Sequence, residues 1–131
     1  MSLKIPTYVI TMMGEPFSEA LAQETLESLG RFGEQGQKFP ATHGNDVDLH
    51  WKEHELKQFK IGQKFKTLNQ GLIGCLLSHL RLWKLCREQN EPFLILEHDA
   101  VQLREIPEYF LSKFEDVLHL DRYSRIVQDY N

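Results

Sequence analysis

Glu97 and Asp99, one residue apart, are the side chains whose type and spacing speak most directly of chemistry. They follow the apolar run Phe93-Leu94-Ile95-Leu96, with His98 between them. A run this short and this apolar reads as a strand covered on both faces. In open α/β sheets, ligands gather beyond the C-terminal ends of the strands, which is where these two acids lie. Along an extended chain residues i and i+2 point the same way, so Glu97 and Asp99 would face one cation together. Mg²⁺ and Mn²⁺ prefer carboxylate, phosphate and water oxygens. Two carboxylates suffice when a substrate diphosphate completes the shell, and the ion then neutralises charge developing on the departing diphosphate. A solvated loop carrying two acids is the plainer reading of the same residues.

The neighbouring histidines carry weaker signals. His98 alternates to the other side of the acids and reads as a packing or supporting group rather than a ligand. His50 and His54 have the i, i+4 spacing that a helical zinc site uses, but no thiolate stands near them and the His-Glu-x-x-His order is missing. His79 lies within an apolar helical stretch, where a hydrogen-bonded interior histidine is the default. Gly71 and Gly74 stand at the mouth of that helix, where glycine lets a ligand approach the backbone and the helix N-terminus favours anions. The segment matches neither a P-loop nor a dinucleotide fingerprint.

The elements that would position these groups follow from periodicity. Tyr8 to Met13 predicts a buried first strand, broken by Gly14-Glu15-Pro16. Phe17, Leu21, Leu26 and Leu29 then recur at near-helical spacing, with Gly30 where a C-terminal cap belongs. Lys38 to Thr42 predicts a short second strand that Pro40 confines to an edge or an end. Strand, helix, strand is the opening of an α/β sheet. Residues 44 to 68 are polar and lysine-rich and read as a loop with one short helix near Asp46 to Phe59. The strongest helical segment has Leu72, Leu76, Leu80 and Trp83 on one stripe, widened by Ile73, Leu77 and Cys86. Pro92 ends it before the Phe93–Leu96 strand. Pro107 suits the first turn of a last helix, with Phe110, Leu111, Phe114, Val117 and Leu118 as its stripe. Ser124 to Val127 would begin one more strand.

The bulk numbers set the frame. A length of 131 residues is one domain's worth, read here as a single domain over 1–131. Apolar residues at 41% and charged ones at 26% describe a globular chain rather than a disordered one. The formal charge of −4 argues against a general nucleic-acid binder. No apolar run reaches the roughly 20 residues that span a bilayer, and Met1-Ser2-Leu3-Lys4 opens no secretory hydrophobic region. Cys75 and Cys86 both fall in the apolar helical stretch and read as two buried thiols of a reducing cytoplasm.

Taken together, Gly71-Leu72-Ile73-Gly74-Cys75-Leu76-Leu77-Ser78-His79, then Trp83, Asn90-Glu91-Pro92 and Leu94-Ile95-Leu96-Glu97-His98-Asp99-Ala100-Val101, resemble glycosyltransferase family 25. That family comprises the lipopolysaccharide and lipooligosaccharide galactosyltransferases and their relatives. Its pattern is a Gly-x-Ile-Gly-Cys-x-Leu-Ser-His helix start, an amphipathic helix and an Ile-Leu-Glu-Asp-Asp strand end. Both pieces occur here in order, over about residues 67 to 103. Tyr8-Val-Ile-Thr resembles the family's opening strand, and Phe39-Pro-Ala-Thr-His-Gly44 its Ala-x-x-Gly segment. Met12-Met13-Gly14-Glu15 stands where the family carries Asn-Leu-Asp-Arg, and His98 where it carries the middle acid. The resemblance implies an α/β fold of the GT-A kind, of which this chain would be the N-terminal portion. It also implies a UDP-sugar donor, often UDP-galactose, a saccharide acceptor of the lipooligosaccharide type, a divalent Mn²⁺ or Mg²⁺ ion, and inversion at the anomeric carbon. Asp99 would be the direct metal ligand and Glu97 a second or water-mediated one. Gly71 and Gly74 would shape the wall by the donor, with Ser78 and His79 hydrogen-bonding within the site. A cytoplasmic enzyme at the inner face of the membrane fits this, and a non-catalytic nucleotide-sugar-binding or interaction module on the same scaffold is the alternative.

Overall fold

Five consecutive residues of the first strand, Thr7–Thr11 (β1), are all buried, so both faces of this strand are covered. Its β-branched and aromatic sequence, Thr-Tyr-Val-Ile-Thr, suits a pleated surface packed on two sides. The structure, a computed structural model, describes residues 4–43, 70–118 and 120. The expected helix near Asp46 to Phe59, His50, His54, the segment Thr67 to Asn69 and the strand at Ser124 to Val127 lie outside the described residues.

After β1 the chain turns through Gly14, whose φ of +84° few other residues tolerate, and enters helix α1, Pro16–Gly30. Glu15 caps the helix: its carboxylate accepts from the Phe17 and Ser18 backbone N–H groups. Pro16 follows at the first helical position, where its missing N–H costs nothing. The buried face of α1 is Ser18, Ala22, Thr25, Ser28 and Leu29. This corrects the stripe expected from Phe17, Leu21, Leu26 and Leu29, since Phe17 is 70% exposed. Small side chains let the helix lie close to its neighbours, and the three hydroxyls find backbone partners there. Gly30 belongs to the helix itself; the left-handed residue of the following turn is Gly33, φ +69°.

Strand β2, Gln37–Pro40, runs parallel to β1 with Ile10 opposite Phe39. Pro40 is its last residue, and among the described residues the strand is an edge, a place that suits the missing N–H. Gly36, just before it, passes so close to α1 that a Cβ would lie 2.8 Å from Leu29 Cδ1 and 3.2 Å from the Thr7 carbonyl oxygen.

Helix α2, Gln70–Gln89, carries Ile73, Leu77 and Leu82 fully buried, with Gly74 and Ser78 beside them. Of the stripe expected to lead, Leu72, Leu76 and Trp83 are instead 60%, 47% and 48% exposed, and Leu80 is half-buried. The buried face is broad, with Ile73 and Leu82 on its opposite edges and the small Gly74 and Ser78 between them, so the narrower apolar stripe that periodicity picks out is the wrong side. Asn90, at φ 52°, ends the helix with its N–H on the Cys86 carbonyl. Strand β3, Leu94–Glu97, then pairs parallel with the other side of β1. Its burial is less complete than expected, since only Leu94 is fully covered.

The sheet order is β2-β1-β3, all parallel. Tyr8 and Ile10 pack with Leu82 of α2, joined by Phe39, Leu85, Phe93 and Ile95. By alternation Thr7, Val9 and Thr11 point to the other face, toward α1, which contacts β1. Each fully buried leucine or isoleucine of this core is worth about 1.5–3 kcal/mol. Strand, helix, strand at the N-terminus is therefore what the sequence predicts, and the fold class is α/β.

The chain divides into two compact units, Ile5–Arg104 and Glu105–Asn131 with Met1–Lys4. In the second, among the described residues, a 3-10 turn, Glu108–Ser112, stands where a full helix was expected. Pro107 precedes it with ψ 139°, extended rather than helical, and Val117 of the expected stripe is 74% exposed.

Candidate functional site

β1 lies in the middle of the sheet, and the chain leaves it first for β2 on one side and later for β3 on the other. Between the C-terminal ends of β1 and β3 is therefore the switch point at which open α/β sheets bind ligands. Glu97 stands there as the last residue of β3, opposite Ile10 of β1.

Beyond Glu97 the chain no longer runs extended. The Ala100 N–H donates to the Glu97 carbonyl at 3.0 Å, closing a turn over His98 and Asp99. The alternation expected to continue through Asp99 thus stops at Glu97, because a β-turn reverses the backbone. Asp99 is exposed within that turn. His98 points back into the protein, with Nδ1 2.9 Å from Ser18 Oγ, and so serves as the supporting group expected of it.

Helix α1 holds this turn through its small polar face. Thr25 Oγ1 lies 2.9 Å from the His98 carbonyl and 2.6 Å from that of Ala100, with the Leu21 carbonyl of its own helix at 3.2 Å, so its one proton is shared among three acceptors. Ser28 Oγ accepts from the Gln102 N–H at 3.0 Å. Ser18, Thr25 and Ser28 are one strap across residues 98–102.

On the other flank, α2 presents Cys75 and His79 one helical turn apart, toward Glu97. Cys75 Sγ lies 3.7 Å from Glu97 Oε1 and His79 Nε2 lies 3.6 Å from the same oxygen. One ligand atom from each of the three residues lies within 4.8 Å of the other two. The imidazole facing Glu97 holds its carboxyl below the usual glutamate range, outweighing the desolvation that pushes the other way. The Cys75 thiol is pushed up, first by partial loss of solvent around the sulfur and then by the Glu97 charge, so it stays protonated and donates to that carboxylate. Cys75 was expected to be buried; it is exposed, because the face of α2 turned inward is the one holding Ile73, Gly74, Leu77, Ser78 and Leu82. Its part in this cluster was missed, although the Cys75–His79 spacing of four residues was a visible signal. Both cysteines are free thiols.

Ser78, expected within the site, is 1% exposed, accepts from the Thr42 N–H at 2.9 Å and donates to the Gly74 carbonyl at 2.8 Å. It ties α2 to the segment leaving β2. Arg81 strengthens the tie by donating to the Pro40 carbonyl at 2.8 Å while its guanidinium covers the Phe39 ring. Gly71 is exposed on the first turn of α2, with open space where a Cβ would stand. Gly74 is buried below it.

The family model described as glycosyltransferase family 25 (LPS biosynthesis protein) matches residues 4–130. The chain belongs to glycosyltransferase family 25. A curated relative, the lipooligosaccharide biosynthesis protein lex-1 of Haemophilus influenzae, is 38% identical over 53 residues. That stretch covers 40% of this chain and 18% of the relative, so the similarity spans about a fifth of the relative's length. No solved structure matches the chain. Within the family 25 chain, no helix among the described residues is long and apolar enough to cross a membrane.

Proposed function

We propose that this family 25 chain takes part in transfer of a hexose, galactose in the first instance, from a UDP-sugar to a saccharide acceptor of lipopolysaccharide or lipooligosaccharide biosynthesis. The observation that carries the reading is Glu97. It is the carboxylate at the tip of β3, at the switch point of a parallel sheet, within a chain that matches the family over nearly its whole length. The order β2-β1-β3 is compatible with a GT-A fold, of which this would be the N-terminal portion.

The oxygen donors that support a hard divalent ion in this reading are Glu97 and Asp99. Glu97 is held ionised, and Asp99, exposed in the adjoining turn, offers a second oxygen donor. Glu97 and Asp99 would hold Mn²⁺ or Mg²⁺ together with the diphosphate. Such an ion supplies charge neutralisation on the leaving UDP. The chain's own residues orient the site: Ser18, Thr25 and Ser28 fix the turn that carries Asp99, and His79 keeps Glu97 charged. Gly71 leaves the first turn of α2 open toward a ligand.

Calorimetry with UDP in the presence and absence of Mn²⁺ tests the reading. Binding that requires Mn²⁺ and disappears in Asp99→Ala is the expected result. A flat titration under both conditions overturns it and favours an interaction module on the same scaffold.

A further inference from the structure

We propose that Cys75, His79 and Glu97 form a zinc site, with three protein ligands and a fourth position open to water or a substrate oxygen. This goes beyond the Mn²⁺–diphosphate reading and shares one residue with it, Glu97.

The three side chains offer the donor types zinc takes: thiolate sulfur, imidazole nitrogen and carboxylate oxygen. Mg²⁺ and Mn²⁺ have little use for the first, whereas thiolate and imidazole together select zinc among the common divalent ions. The geometry suits the ion as well. At the usual zinc bond lengths of about 2.0–2.3 Å, tetrahedral ligand atoms lie roughly 3.3–3.6 Å apart. The sulfur and the imidazole nitrogen stand 3.7 and 3.6 Å from one carboxylate oxygen, and all three ligand atoms lie within 4.8 Å of one another, so side-chain rotation alone has to draw them in.

The scaffold supplies the rest. Cys75 and His79 are i, i+4 neighbours on one face of α2, a helix of 20 residues, so their side chains converge without backbone strain. Ser78, between them in sequence, locks that turn of the helix to Thr42 from the buried side. Glu97 comes from a different element, a strand hydrogen-bonded to the central β1. An ion here would join helix to sheet. Binding replaces the thiol proton, which now bridges Cys75 to Glu97, by the metal, and that proton leaves to solvent.

Titration of the metal-free protein with Co²⁺ as a spectroscopic stand-in, and with Zn²⁺ in competition, reads the site directly. The expected result is one equivalent bound with a sulfur-to-cobalt charge-transfer band and intense tetrahedral visible bands, all abolished by stoichiometric Zn²⁺. Cys75→Ala removes the charge-transfer band, and His79→Ala weakens Zn²⁺ by more than about 100-fold, since even an outer-shell partner is worth about 10–100-fold. In the unaltered protein, Zn²⁺ should slow alkylation of Cys75 and leave Cys86 unchanged, a readout that no misfolded variant can confuse. Asp99→Ala should retain the cobalt spectrum while losing Mn²⁺-dependent UDP binding, so the two readings fail separately. A weak octahedral cobalt spectrum, a charge-transfer band surviving in Cys75→Ala, or alkylation of Cys75 indifferent to Zn²⁺ overturns the proposal.

Discussion

Ser18 Oγ stands 2.9 Å from His98 Nδ1 and also accepts the Met12 N–H at 2.9 Å, so one buried hydroxyl links the ends of β1 and β3 through α1. The residue between the two family acids is thereby turned inward, and the turn that carries Asp99 is anchored to the helix. Replacing Ser18 by Ala leaves the Met12 N–H and the imidazole without this partner. The expected cost is about 1–3 kcal/mol, the penalty for stranding buried polar groups. Urea unfolding would measure it, and an unchanged midpoint would contradict the linkage.

The second prediction concerns pH. Because Glu97's folded pKa is depressed, its contribution to stability is present above the unfolded glutamate value and is lost as pH falls through the folded value. In the metal-free protein, the carboxyl carbon resonance of Glu97 should titrate below an ordinary glutamate. His79→Ala should move that midpoint upward and flatten the acid limb of the stability curve. The Glu97 side chain is 59% exposed, so solvent screens the pair and the change in stability is small. A midpoint that does not move in His79→Ala counts against the pairing.

Gly36 offers a third test. A methyl group there meets the buried Leu29 side chain and the Thr7 carbonyl, one of which must give. Gly36→Ala should destabilise by about 1–3 kcal/mol, as overpacking of a tight contact does. Thermal unfolding would show it as a lowered midpoint. Gly71→Ala, with open space around the added methyl, should leave the midpoint unchanged or raise it slightly.

Leu82 of α2 is fully buried against the Tyr8–Ile10 face of β1. Leu82→Ala should cost about 2–5 kcal/mol through lost burial and the cavity left behind. The exposed Trp83 beside it, replaced by Ala, should cost much less, and comparing the two in denaturant checks which stripe of α2 is the buried one.

Much of this arrangement was legible in the residues themselves. Tyr8 to Met13 announces a buried strand because it is rich in β-branched and apolar side chains, and the strand runs over Thr7–Thr11; Pro40 announces an edge or an end because it cannot donate. The two motif blocks, Gly71 to His79 and Leu94 to Val101, pointed to the family that the comparison over residues 4–130 bears out. Side-chain chemistry and local spacing carry such information without any fold. What they could not decide was orientation. The most regular apolar stripe of α2 is not its buried face, and only the sheet shows that Ile73, Leu77 and Leu82, with Gly74 and Ser78 between them, are inside, leaving Cys75 and His79 to face a strand 22 residues away in sequence from the first of them. Likewise the strand's alternation should have carried Asp99 to the side of Glu97. A turn held by Thr25, contributed from 75 residues away, bends the chain there instead. Contacts between residues so far apart in sequence depend on how the elements pack, and no local pattern encodes them.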